Sequence, residues 1–507
     1  IEVQYGGGSA LFGSGAIGGT IHLNNKPEFN KGIQAGVSTS YGSFERWHQT
    51  LDLKISRKKI VSSLKLYNYS AENNFPFINT ALPGNPEVRQ RNARVEQQGL
   101  LFENYFKIKQ NQQLDLRLWL QDNFRQVPPS MLGYSSIATL ENRFTRIAGQ
   151  WKRAGRKATL FVRSAYFNEF LPYSDSLINI HANSHFQSSI TEVESNIYLT
   201  NNQLLNIGIN NTYNLANSDG YENTPTQNRT ALFASYKLQN QPGSWKGVAC
   251  IRQEAIKKSL MPVMPSIGVE GSVVKGVKVK ANISRNYRVP TFNDLYWRPG
   301  GNPDLKPESE WSEELSVIVN KPIKNTIHDF GLTFFNSNVN NRILWLPYSG
   351  YWTPRNIQAI WSRGLECQLK SSLKVGQVRV ELSMLYNYVV STNEKASSIN
   401  DNSLKKQLIY VPIYSGQGVL ALYYRKLYLN YIHNYVGNRF TSTDNTAYIE
   451  AYQLGHITLS QNFSYTKFRF NLHVKVNNLW NESYQVVLWQ AMPLRNYQAG
   501  ISVYFNQ

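Results

Sequence analysis

The chain has 507 residues, with 53 Lys and Arg against 33 Asp and Glu, a net charge of +20 and 13% aromatic residues. Its cations are spread along the chain without clustering, which argues against nucleic acid as a partner, and two cysteines, Cys250 and Cys367, are too few for a disulfide scaffold. Mean hydropathy is −0.41, the value of a soluble chain, yet a transmembrane barrel gives the same value because only alternate residues face lipid.

At the start of the chain, Val3 to Leu23 carries seven glycines between Gly6 and Gly19, which punctuate the apolar runs Ala10–Phe12 and Ala16–Ile17. So Gly-rich a segment must turn tightly and bring backbone close to backbone. Within it, Gly13 to Gly18 matches G-x-G-x-x-G. A dinucleotide site needs a helix after that motif. Here Gly19-Thr20-Ile21-His22-Leu23 follows, which reads as a strand from Thr20, so the match is a decoy. No Gly-Lys-Ser/Thr follows, which removes a P-loop as well.

Downstream, period-2 alternation dominates. In Leu114–Leu120 four leucines alternate with Asp115, Arg117 and Trp119; in Val277–Ser284 apolar residues alternate with Lys278, Lys280, Asn282 and Ser284. Val378–Met384 and Phe468–Asn477 repeat the scheme. Cys367 alternates with Leu365 and Leu369, as a small apolar residue on a lipid face does. Gln407–Tyr424 has no charge, but Pro412 and Ser415–Gly418 break it as a helix, and it reads as two strands joined around Ser415–Gly418. Polar, Pro-containing stretches predict long outer loops at Ala71–Arg94, Phe167–Ser184, Asn214–Asn228, Arg288–Glu308, Asn338–Arg355, Ser391–Lys406 and Val436–Tyr448. Tyrosine outnumbers Phe, 31 to 23, and aromatics cluster at strand ends such as Tyr67, Tyr69, Tyr423 and Tyr424, where membrane girdles belong. The expected fold class is all-β, an antiparallel transmembrane β-barrel. Dividing residues 32–507 by the ~22 strands of plugged transporters leaves about 11 residues per average connection after a strand of about 10.

Several segments carry a family resemblance. Val3–Leu23 resembles the last part of the plug domain of TonB-dependent outer-membrane receptors. Arg288-Val289-Pro290-Thr291-Phe292-Asn293-Asp294-Leu295-Tyr296, followed by Gly301-Asn302-Pro303-Asp304-Leu305-Lys306-Pro307-Glu308, resembles that family's barrel signature. So do Asn356–Glu366, Val476–Asn481 and Pro493–Tyr497 leading into a closing strand Tyr497–Phe505, while Phe75-Pro76-Phe77 resembles a box of relatives in Bacteroidota-type bacteria. The resemblance implies a plug remnant over residues 1–31 in the lumen of a barrel over residues 32–507, in the outer membrane of a Gram-negative bacterium. It implies an active importer of a siderophore or cobalamin type, energised by TonB and its inner-membrane complex, surrounded by outer-membrane lipid and lipopolysaccharide. Because the chain starts at Ile1 without a signal peptide, the expectation is a longer precursor, with most of the plug and the TonB-contacting segment upstream.

An importer needs no chemistry on its cargo, so no catalytic residue, cofactor or metal site is expected, and the chain does not read as an enzyme. Alternatives are a passive porin-like or adhesion barrel, for which a Gly-rich plug has no use, and a haem receptor. Haem receptors of this family carry a histidine between the two signature boxes, whereas this chain has Trp297 and Arg298 there. Small-molecule cargo is expected to meet aromatic and basic loop residues, Trp297, Arg298, Tyr348, Tyr351, Trp352 and Trp489. The competing reading of these residues is an interfacial girdle.

Overall fold

A computed structural model describes residues 2–5, 7–133, 135–240, 243–257, 259–323, 326–348, 351–396 and 401–506. The wall is a closed barrel of 22 antiparallel strands. The first wall strand, Gly32–Gly42, pairs on one side with Arg46–Ser56 and on the other with the last, Asn496–Asn506, which closes the cylinder. Closure matters physically, because no backbone donor or acceptor along the wall is left as an unpaired edge. No helix among the described residues is long and apolar enough to cross a membrane.

Alternation sorts the two faces as the sequence pattern requires. On Gln112–Gln126, Leu116 and Leu120 are exposed, whereas Asp115 is buried on the opposite face. The apolar face points out of the barrel and the polar face lines the lumen. Connections alternate in length: Lys109 to Gln112 and Val274 to Val277 turn tightly, while Ala71 to Val95 and Arg288 to Glu308 make long excursions at the opposite end. The barrel therefore has a short-turn end and a long-loop end.

Several expected loops are strand instead. Asn338–Arg355 belongs to a ribbon, Thr326–Tyr348 with Tyr351–Val375, whose register runs out to Tyr348↔Tyr351 with shifts beside Arg342. Its Asn, Arg and Pro residues read as loop, but a ribbon projecting past the barrel rim is wet on its outer surface and tolerates them. Strands likewise invade Phe167–Ser184 and Asn214–Asn228, leaving as shorter connections the residues between Phe170 and Ser184 and between Ser218 and Thr226. The expected break at Ser415–Gly418 is also corrected: Tyr414–Tyr424 is one strand, paired without a shift to Val378–Asn393. A Cβ on Gly418 would meet nothing, so that glycine imposes no turn. The loop lies before it, between Asn393 and Tyr414.

Candidate functional site

The excursion between Arg288 and Glu308 is braced from several sides. Pro290 stops the ladder, and Thr291 then caps a one-turn helix, Phe292–Tyr296, in a capping box with Asp294. Arg288 grips Glu308 with two bonds, Nε to Oε2 at 2.7 Å and Nη2 to Oε1 at 2.8 Å, and lies 3.6 Å from Asp294. Glu308 Oε1 also accepts the Ile343 amide at 2.8 Å. Asp294 Oδ1 accepts Trp345 Nε1 at 3.0 Å. Three members of the signature boxes thus close one network that ties both feet of the excursion to the projecting ribbon.

The same ribbon holds the tip. Asn302 Nδ2 donates to the Pro354 carbonyl at 3.1 Å, and Asn356 Oδ1 accepts the Lys306 amide at 2.8 Å. Gly300 has φ +122, and a Cβ there would sit 2.0 Å from the Trp352 carbonyl oxygen. Only glycine allows the excursion to lie so close to the ribbon.

Four of the sequence-predicted site residues meet here. Trp297 packs edge-on against Tyr221 at 6.4 Å and 90°, and Arg298 pairs with Glu222 while its amide donates to the Gly220 carbonyl. Tyr351 touches the Gly300 position, and Trp352 is 59% exposed beside it. Glu222, Asn223, Pro225, Lys257 and residues 295–301 enclose a cleft of about 960 Å³. The Tyr221 hydroxyl donates to Asn293, and burial, reinforced by Asp294, raises its pKa.

Of the other two, Trp489 lies elsewhere. The Tyr348 side chain lies outside the described residues. Trp489 sits in the connection after Phe468–Asn477, where its carbonyl accepts the Met131 amide at 2.7 Å and its amide donates to Gln485 Oε1. It belongs to a second cluster of loops, separated along the wall by the strands from Val378 to Tyr465. That cluster borders a recess of about 850 Å³ lined by Phe75, Arg125, Pro129, Tyr484 and Met492 among others.

Sequence reasoning did not single out the lumen wall beneath the excursion. Arg252 and Glu254 are each 3% exposed. Glu254 accepts Arg252 Nε at 3.2 Å and the hydroxyl of Tyr287, which is fully buried. The Gly-rich N-terminal segment lies on this group. Its short helix, Ser9–Phe12, places Ala10 against Cys250, Met264 and Tyr287. The Ser9 amide donates to Asn286 Oδ1 at 3.1 Å, the Gly15 amide to the Tyr287 carbonyl at 3.1 Å, and the Val289 amide to Ser14 Oγ at 3.0 Å. Gly13 turns with φ +82 where a Cβ would lie 2.8 Å from Glu254 Oε1. The G-x-G-x-x-G match is therefore wall contact, with a strand, Gly19–His22, after it. The available signal was the charged pair Arg252 and Glu254, two apart and so on one face of the strand Trp245–Ile256.

Comparison with known proteins is consistent across sequence and fold. The family model described as TonB dependent receptor-like, beta-barrel matches residues 3–479. The vitamin B12 transporter BtuB of Photobacterium profundum is 27% identical over 218 residues, 42% of this chain and 33% of that protein. BtuB of Vibrio vulnificus is 25% identical over 272 residues, 53% of this chain and 40% of that protein. The matches thus span well under half the length of those curated relatives. The siderophore receptor PirA from Acinetobacter baumannii superposes with a TM-score of 0.79 at 15% identity, over 99% of this chain and 84% of that one, a likeness of fold.

Proposed function

This chain belongs to the TonB-dependent receptor-like β-barrel family of the outer membrane, and on that premise we propose that it imports a scarce nutrient, cobalamin or a ferric siderophore, driven through TonB. The family consists of transporters and receptors rather than enzymes. Cargo is read as binding at the long-loop end, on Trp297, Arg298, Tyr351 and Trp352 around the cleft, with Tyr348 as a further candidate and Trp489 on a second side of the mouth. No catalytic step is assigned to any residue, and no cofactor or metal is required.

One observation carries the reading. At the end of the strand Val277–Arg288, three consecutive residues, the last just beyond it, have different attachments. Tyr287 takes the Gly15 amide, Arg288 anchors the cargo-side excursion through Glu308, and Val289 donates to Ser14. Cargo contacts and the lumen segment therefore hang on one strand end. A passive pore has no need of that linkage, whereas a gated importer does. Cobalamin is favoured by the names of the sequence relatives, and a ferric siderophore by the basic, aromatic loop surface.

The test is uptake of labelled cyanocobalamin and of ferric siderophores of the catecholate and hydroxamate classes, in cells lacking their own receptors and producing the full-length receptor. Uptake that stops on collapse of the proton gradient and in a strain without TonB supports the proposal. Uptake indifferent to both would replace it with a passive barrel.

A further inference from the structure

We propose that the short-turn end of the barrel is a docking surface for the peptidoglycan layer beneath the outer membrane, held through the free carboxylates of its peptide stems. The proposal goes beyond nutrient import and rests only on the outer-membrane location of the family.

The fold assembles this surface from residues far apart in the chain. Short turns mark the periplasmic end of an outer-membrane barrel and long loops its outer end. The chain turns at the short-turn end after Ser56, Lys109, Ala154, Thr200, Gln239, Val274, Ile323, Val375, Tyr424 and Tyr465. No Asp or Glu stands in any of these connections, nor within two residues on either side of one. Cations do. Arg57, Lys58 and Lys59 make up one whole turn and Arg425 with Lys426 another, while Arg156, Lys157, Lys275 and Lys467 sit in three more. All of them are exposed. Along the chain these cations are dispersed; closure of the barrel brings them to one rim. The opposite rim carries both signs, with Glu72, Asp219, Glu222, Asp294, Asp444 and Glu482 in its long connections.

Carboxylates on adjoining elements do not neutralise the short-turn rim. Glu270 lies 3.5 to 3.7 Å from three lysines, Lys246, Lys278 and Lys280, so cations outnumber it. Glu381 is 3.3 Å from Arg379, and Asp329 accepts a bond from Asn320. Glu28, whose carbonyl accepts the Ser56 hydroxyl, stands between Lys26 and Lys31 in the chain. Among the described residues, Lys58, Lys59, Arg156, Lys157 and Lys426 form no ion pair.

The occupant follows from where the charges lie. Tyr424 and Tyr465, 45% and 73% exposed, directly precede two of these turns. Aromatic rings at strand ends sit at headgroup level, so cations beyond them reach past the headgroups into the periplasm. A rim of one sign distributed around a cylinder does not converge on one small anion. It matches a flat polyanion parallel to the membrane. Peptidoglycan is such a layer, and its stem carboxylates accept charge-assisted bonds from Lys and Arg. Contacts at several turns then add as one multivalent attachment.

The full-length receptor, held in nanodiscs of neutral phosphatidylcholine, is sedimented with isolated peptidoglycan sacculi. Expected is co-sedimentation that falls as salt rises and falls with sacculi whose carboxylates have been amidated. K58Q/K59Q/R156Q/K157Q/K426Q should weaken it at least about tenfold. R89Q/R91Q/K395Q/K406Q/R495Q, an equal number of exposed cations in the long connections, should leave it unchanged. Heat-modifiable mobility on gels checks that each variant is a folded barrel. Should the turn variant misfold, the unaltered receptor on amidated sacculi decides alone. Binding indifferent to amidation or salt, binding retained by the folded turn variant, or equal loss in the long-connection variant overturns the surface. So does a turn variant that keeps its sacculi but loses retention of phosphatidylglycerol, which would assign the rim to inner-leaflet lipid.

Discussion

Replacing Glu308 by Ala removes the centre of the network that braces the excursion. Glu308 receives both bonds from Arg288 and the Ile343 amide, and its side chain is 9% exposed. Removing one partner of a buried pair costs about 3–5 kcal/mol, because the other charge is left uncompensated. Arg288 is 30% exposed and keeps its 3.6 Å approach to Asp294, so the lower end applies, about 3 kcal/mol. The barrel ladders do not pass through Glu308 Oε atoms, so the loss falls on the excursion and shifts its open population by about 100-fold. The readout is hydrogen exchange at the Asp294, Gly301 and Asn302 amides, which donate to Thr291 Oγ1, the Trp297 carbonyl and the Asp294 carbonyl. Exchange about 100-fold faster at these amides, with heat-modifiability of the barrel retained, is the expected result. Unchanged protection would mean that the ribbon contacts at Pro354 and Asn356 hold the excursion alone, and the network argument would be refuted.

Gly13→Ala forces a side chain into φ +82 and against Glu254, about 1–2 kcal/mol of backbone strain before the clash; protease cleavage near Ser14 in purified protein should rise, and unchanged cleavage would show that the segment is held elsewhere. Trp297→Ala and Trp352→Ala should each weaken cargo binding about tenfold, the scale of one lost aromatic anchor; unaltered affinity for every cargo that the receptor takes up would move the site off this cleft. Asp444 has its pKa lowered to about 2, first by the Ser442 hydroxyl, then by the Thr446 amide and hydroxyl. A depressed carboxylate stabilises its loop above its unfolded pKa near 4 and loses that contribution as pH falls through about 2. Amide exchange at Thr446 and Ala447 should therefore accelerate from pH 5 to pH 2 beyond the intrinsic pH effect, and Asp444→Asn should abolish that excess; an identical profile in the variant counts against the assignment.

The wall was legible because its signal is local. Phe468–Asn477 alternates residue by residue, and the structure puts those residues in one strand, with Phe468 and Leu472 exposed outward. The ribbon was not, since Asn338, Asn340, Asn341 and Arg342 carry no alternation and the pairing that makes them strand lies across the hairpin. The candidate site divides the same way. Trp297 and Arg298 stood out as aromatic and basic residues between two boxes. That Trp352 closes on the same excursion, while Trp489 faces Met131, depends on which strands are neighbours around the cylinder, and composition does not encode that. Arg288, Asp294 and Glu308 were visible as a motif, but the reason for their spacing appears only when Arg288 is seen to clasp Glu308 across adjacent strands.

That clasp also explains why one strand end can serve both the lumen segment and the loop excursion. Asn286 faces the lumen, donates to Glu310 at 3.2 Å and accepts the Ser9 amide. Two residues on, Arg288 is committed to Glu308. If cargo binds as proposed, pulling the excursion toward the cleft would strain the Arg288–Glu308 pair and a backbone whose next amide, Val289, is bonded to Ser14. The linkage works in reverse as well: lifting the N-terminal segment frees the Tyr287 carbonyl and the Val289 amide together, loosening the foot of the excursion. Binding at the mouth and displacement of the segment are then two perturbations of a single set of hydrogen bonds, and their coupling free energy must be reciprocal. Glu308→Ala should therefore change cleavage at Ser14 as well as exchange at Asn302, while a substitution on the far loop cluster, such as Trp489→Ala, should leave both untouched.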